Sequence, residues 1–203
     1  MNMADKVAAV LLASGFSKRF GGRNKLLILF RGKPLARYTL ELAAGINFSG
    51  GIYLVAASDE VAALAADFPS VMVIKNDAPE KGLRESVRLG VEAAGFGVDY
   101  YLFFHCDQPF LDSLTVRRIL DIRRQGCIVE PCYQCRPGNP CLFPALFRNE
   151  LLSLKEGETP KAIKARHPEA IIRVEVNDPL VLEDVDDEET LERYKYSTME
   201  KEK

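Results

Sequence analysis

The sequence predicts a three-layer α/β fold around a mostly parallel sheet, and three observations carry that prediction. Residues 7–12 and 100–104 are unbroken apolar runs, as strands buried on both faces of a parallel sheet would be. Between them, segments of strand and helix character alternate, as repeated crossover connections require. The first run then empties into Ala13-Ser14-Gly15, where side-chain bulk disappears and a ligand can approach the backbone.

Past that loop, residues 34–44 read as a helix, with Pro34 near its first turn and Gly45 past its end. Residues 52–56 read as a strand, 60–66 as a helix, 71–74 as a short strand, 83–94 as a helix and 100–104 as a strand. The second half is less regular. A helix is expected at 113–125, a strand at 128–132, and a turn-rich 136–140 before Cys141-Leu142-Phe143 suggests a hairpin or a change of strand direction. Residues 145–154 and 160–166 read as short helices, 171–176 and 180–183 as strands, and 187–196 as a last helix. Nothing in the composition shifts abruptly across the 203 residues, so one domain over residues 1–196 with a frayed tail at 197–203 is expected.

Composition excludes several classes of function. A hydrophobic share of 47% with 28% charged residues is that of an ordinary globular chain, which argues against disorder and against membrane insertion. The formal charge of -2 argues against a general nucleic-acid binder, so clustered cations should serve a local anion. Residues 1–5 run straight into the first strand and leave no room for a secretory signal, so a cytoplasmic location is expected. Five cysteines form an odd set, and small buried reduced thiols are the expectation. Cys132-Tyr133-Gln134-Cys135 with Cys141 nearby is only a weak zinc pattern without a second pair.

The chemistry concentrates after the first strand. Arg19 offers a planar fork of donors and Lys25 a mobile point charge, a pair suited to triphosphate oxygens; the same segment would also serve as a plain βα turn with solvated cations. Neither Gly-x-Gly-x-x-Gly nor a P-loop is present, and Gly32-Lys33 is followed by Pro34 rather than Ser or Thr. Asp107 follows the apolar run at 100–104, with Pro109 blocking helical continuation. In parallel sheets ligands collect beyond the strands' carboxyl ends, which puts the 13–19 loop and the 105–109 stretch on one rim. A carboxylate there suits magnesium, which keeps water and substrate phosphates as its other ligands; an Asx turn is the alternative. A second acidic run, residues 184–189, combines a helix cap at Asp187 with Asp184 and Asp186, either of which could point back toward Asp107.

The order of these segments resembles the MobA-like nucleotidyltransferases, and within them the molybdenum cofactor cytidylyltransferases. The matches are Leu12-Ala-Ser-Gly-Phe-Ser-Lys-Arg-Phe-Gly21 with Lys25-Leu26-Leu27, Gly32-Lys33-Pro34-Leu35, Lys81-Gly82-Leu83-Arg84-Glu85-Ser86-Val87-Arg88-Leu89-Gly90, Asp107-Gln108-Pro109, Gly138-Asn139-Pro140-Cys141-Leu142-Phe143, His167-Pro168-Glu169-Ala170, Asn177-Asp178-Pro179 and Asp184-Val185-Asp186 through Leu191. The resemblance implies a Rossmann-like nucleotidyltransferase fold. It implies nucleotide binding by Leu12, Ala13, Ser14, Gly15, Ser17, Gly82 and Ser86, with Arg19 and Lys25 on the phosphates. Arg19, Lys25 and Asp107 would be the catalytic set, and magnesium would be held by Asp107 and Asp186, or Asp184 in place of Asp186. The implied reaction moves a nucleoside monophosphate from CTP, or alternatively GTP, to the phosphate of the molybdenum cofactor and releases pyrophosphate. A molybdoenzyme or its chaperone would be a further partner. Another phosphorylated acceptor, or a non-catalytic carrier of the cofactor, are the alternatives, because His105-Cys106, 136–140 and 157–161 depart from the family's usual residues, mostly on the acceptor side.

Overall fold

The computed structural model describes residues 5–15 and 23–196. Ser17, Arg19 and the expected tail at 197–203 therefore lie outside the described residues. An eight-stranded sheet forms the middle layer. Its parallel half comprises β1 (Val7–Ala13), β4 (Ile52–Ala56), β5 (Val71–Lys75) and β6 (Tyr100–His105), in the order β6-β1-β4-β5. β9 (Cys141–Pro144) runs antiparallel between β6 and β7 (Ile128–Tyr133); β10 (Ile171–Glu175) adds parallel to β7 at the far edge, and β8 (Arg136–Pro137) turns back on β7 as a hairpin.

The two-residue period of β1 explains the layering. Val7, Ala9, Leu11 and Ala13 face one core, shared with Ala36, Leu40 and Ala43 of α1 (Leu35–Ala44) and Val116 and Ile119 of α4 (Ser113–Asp121). Ala8, Val10 and Leu12 face the other, packed with Val87 and Val91 of α3 (Leu83–Ala94), Leu151 of α5 (Arg148–Leu152) and Ile163 of α6 (Pro160–Arg166). Gly90 lets α3 sit close on the sheet, because a Cβ there would stand 2.3 Å from Val10 Cγ1.

Several elements differ from expectation for local reasons. Residues 180–183 are not a strand: Pro179–Leu182 form a 3-10 turn, started by Asp178 accepting from Leu180 N at 2.9 Å. The helix expected at 113–125 stops at Asp121, before a turn at Gly126, and that expected at 60–66 divides into α2 (Asp59–Ala63) and a 3-10 turn. The 145–154 helix likewise opens as a 3-10 turn before α5. A small hairpin of β2 (Leu29–Phe30) and β3 (Lys33–Pro34) was not anticipated; Arg31 and Gly32, both at positive φ, form its two-residue turn. A third, smaller core joins Phe30 and Leu35 to Val185 and to Leu191 of α7 (Glu188–Tyr196), which fastens the C-terminal segment beside the β1 and β6 ends. Asp187 caps this helix as expected, accepting from Thr190 N at 2.7 Å. No helix among the described residues is long and apolar enough to cross a membrane.

Candidate active site

The parallel register brings the two sequence-predicted segments together, since Leu12 of β1 pairs with His105 of β6. Just past β1, Ser14 is buried and donates to Val55 O at 3.0 Å, which ties the loop to β4. A Cβ at Gly15 would meet no described atom within 4 Å. Asn24 then shapes the chain before Lys25. Its Oδ1 accepts from Leu26 N at 3.1 Å and its Nδ2 donates to Ser58 Oγ at 3.3 Å, the hydroxyl that caps α2.

Lys25 is thereby aimed at carboxylates. Its Nζ donates to Asp107 Oδ2 and to Asp186 Oδ1, each at 2.7 Å. Burial opposes its charge, but Asp107 and then Asp186 outweigh that, so its pKa lies above the ordinary lysine value. The C-terminal segment reaches this point because Val185 N donates to the Asp107 carbonyl at 2.9 Å. That bond carries Asp184 and Asp186 to the β6 end. Burial, followed by the charges of Asp107 and Asp186, pushes Asp184 up to about 6. Asp107 Oδ1 and Asp184 Oδ1 are buried and accept no hydrogen bond among the described residues.

Two cavities adjoin this cluster. One of about 250 Å³ is lined by Leu12, Ser14, Gly15, Lys25, Gly82, Ser86 and Asp107, with Leu26, Pro79, Leu83 and His105 completing it. Among the expected residues that the structure describes, Ala13 is the exception, because its methyl packs into the core below the sheet. The second cavity, about 710 Å³, shares Leu12, Leu83 and His105 with the first and extends over β7, β9, α6 and β10. Burial lowers the pKa of His105, only partly offset by Asp107, so a neutral imidazole stands between the two spaces.

The larger cavity holds a charged cluster that sequence reasoning missed. Glu130 is 1% exposed, yet it accepts from Lys164 Nζ and, at 3.2 Å, from Arg173 Nε. Its only sequence signal was a carboxylate inside an apolar strand. Cys141 lies in the same wall, its thiol pushed up to about 11 by burial and therefore protonated at neutral pH. All five cysteines are free; Cys106, Cys132 and Cys141 are buried as expected, whereas Cys135 is exposed in the β7-β8 turn and Cys127 is half-buried. No group of three or more His, Cys, Asp or Glu side chains arranged to hold a metal occurs among the described residues. Magnesium requires less than that, commonly one or two carboxylates, and the two orphaned carboxylate oxygens are of the right chemistry for it.

A recess at the carboxyl ends of parallel strands, lined by Lys25 and Asp107 with Asp186 bonded to the same lysine and Asp184 in the adjoining cavity, has the form of an α/β nucleotidyltransferase site. The chain belongs to the MobA-like NTP transferase family, whose model matches residues 9–171. Over 92% of its length it is 28% identical to nicotine blue oxidoreductase of Paenarthrobacter nicotinovorans, covering 95% of that protein. It is 24% identical to the molybdenum cofactor guanylyltransferase of Ectopseudomonas mendocina, with 85% of this chain and 84% of that protein covered. Among solved structures, a nucleotidyl transferase from Methanothermobacter thermautotroptrophicus superposes with a TM-score of 0.81 at 22% identity, over 97% of this chain and 99% of that one, a likeness of fold.

Proposed function

We propose that the chain transfers CMP from CTP to the phosphate of the molybdenum cofactor and releases pyrophosphate. The observation that carries this reading is a small and a large cavity that share a wall at Leu12, Leu83 and His105 and each reach the charged cluster, the small one at Lys25 and Asp107 and the large one at Asp184. The small cavity takes the nucleotide, with base and ribose along Leu12–Gly15, Gly82 and Ser86. The large one takes the acceptor, whose phosphate must reach the shared wall at Leu12 and His105. Similarity along the whole chain does not choose between group transfer and the redox chemistry named for the Paenarthrobacter relative, but the acidic cluster favours group transfer.

Asp107 and Asp186, with Asp184 adjoining, would hold magnesium, which when bound supplies positive charge to the triphosphate. Lys25, displaced from its two carboxylates, turns to the phosphates, where Arg19 joins it in balancing the charge that builds on the leaving pyrophosphate. The acceptor phosphate is already ionised and needs no general base, so a neutral His105 and a protonated Cys141 are compatible with attack in line on the α-phosphorus. Lys161, Lys164 and Arg173 outnumber Glu130 and Asp184 in the lining of the larger cavity, which leaves it a small positive excess suited to an anionic acceptor.

The test is pyrophosphate release on mixing the protein with magnesium, molybdenum cofactor, and CTP or GTP in turn. Release with CTP above GTP is expected. Release with neither, using a cofactor preparation active with another transferase, removes the proposal. Tight cofactor binding without release assigns the chain a carrier role instead.

A further inference from the structure

Behind the small cavity lies a buried pair that the proposed reaction does not use. Asn76 follows β5 and is 1% exposed; Ser86, on α3, is 2% exposed and lines the cavity. Asn76 Oδ1 accepts from Ala78 N at 3.0 Å, and its Nδ2 donates to Ser86 Oγ at 3.1 Å. The first bond fixes the second. If the amide were turned over, its NH₂ would face the Ala78 N–H, donor against donor, so only the nitrogen can face Ser86.

The consequence falls on the serine proton. A hydroxyl has one hydrogen and two lone pairs, and Asn76 occupies a lone pair. No acceptor for the Ser86 hydrogen occurs among the described residues. The hydroxyl keeps one further lone pair, but turning that toward the cavity leaves its hydrogen buried without an acceptor, so donation into the cavity is the favoured arrangement.

We infer that Asn76 is a positioning residue for base selection, setting the polarity of the Ser86 hydroxyl so that it donates to a ring nitrogen bearing a lone pair. Among pyrimidines this separates cytosine, whose N3 accepts, from uracil, whose N3 carries a hydrogen. To accept from the uracil N3–H the hydroxyl must use its second lone pair and leave its own hydrogen buried and unpaired, and a mismatch of that kind lowers affinity by about tenfold. The inference rests on the small cavity being the base site.

Asn76→Asp tests it by reversing the relay. At pH 8 an ionised aspartate still accepts from Ala78 N, but its second oxygen accepts the serine hydrogen, so Ser86 turns a lone pair toward the cavity. Dissociation constants for CTP, UTP, GTP and ATP with magnesium would be measured by calorimetry for the native chain, Asn76→Asp and Ser86→Ala. The native chain should hold CTP about tenfold tighter than UTP, and both variants should reduce that ratio about tenfold, Asn76→Asp through gained UTP affinity as well as lost CTP affinity. A purely structural role would weaken both nucleotides equally, and an unchanged or equally weakened ratio in Asn76→Asp overturns the inference. Should Asn76→Asp fail to fold, Ser86→Ala, a mild change within a helix, still decides whether the hydroxyl reads the base. If none of the four nucleotides binds the native chain, the base site itself falls and the inference with it.

Discussion

Lys25 Nζ donates to Asp107 Oδ2 at 2.7 Å, across 82 positions of sequence. With Asp186 on its other side, the ammonium lies between the two carboxylates proposed to hold magnesium. A lysine in that place neutralises the acidic cluster when no other cation does so, and a divalent ion would compete with it for the same oxygens.

Lys25→Met should therefore lower the thermal midpoint in chelator, with a loss of about 1–3 kcal/mol from unpaired neighbouring carboxylates. Millimolar magnesium should restore more stability to this variant than to the native chain. Equal magnesium responses in scanning calorimetry would contradict the competition.

Asp107→Asn and Arg19→Ala should each reduce pyrophosphate release by about a hundredfold or more, as loss of charge at a phosphoryl site does. Circular dichroism melts should show both variants folded. A rate near that of the native chain in either one would remove that residue's catalytic role.

Asp184 makes stability depend on pH. Its folded pKa of about 6 lies above the ordinary 3.8, so the folded state binds the proton more tightly. The stabilisation is complete below about 4 and is lost as pH rises through about 6. In chelator, Asp184→Asn should be more stable than the native chain at pH 7.5 by about 1–3 kcal/mol, with the gap closing toward pH 4. Urea titrations at both values decide this; a variant weaker than the native chain at pH 7.5 would show that Asp184 is stabilised by its surroundings.

Gly90→Ala should destabilise the fold by about 1–3 kcal/mol through its clash with Val10, despite the better helix propensity of alanine. Val10→Ala in the same chain should recover part of that loss. Additive losses in denaturant unfolding would show that the α3–β1 contact is not what the glycine serves.

Much of the fold could be read locally. The apolar runs of β1 and β6 mark strands covered on both faces, and Pro34 and Gly45 bracket α1 to within a residue. Where tertiary packing decides, the reading fails. Leu180-Val181-Leu182 has the composition of a strand, but Asp178 and Pro179 begin a turn from which Val181 and Leu182 enter the core without a neighbouring strand. Gly32 was legible as turn chemistry, yet the expected helix begins only at residue 34 and the expected elements include no Arg31-Gly32 hairpin before it.

By itself the sequence determined the alternating α/β order, the small-residue loop after β1 and the placing of Asp107 at a strand's end, because each depends on side chains within a few positions of one another. The tertiary structure alone decided that Lys25 faces Asp107 and Asp186, that the Val185–Asp107 backbone bond brings the C-terminal acids to the rim, and that Asn76 stands behind Ser86. It also decided that the buried Glu130 is paired inside a strand, by Lys164 of a helix and Arg173 of the adjoining strand. Those contacts join residues brought together only when the sheet closes. Hydrogen bonds and ion pairs act over a few ångströms of space, whatever the distance along the chain.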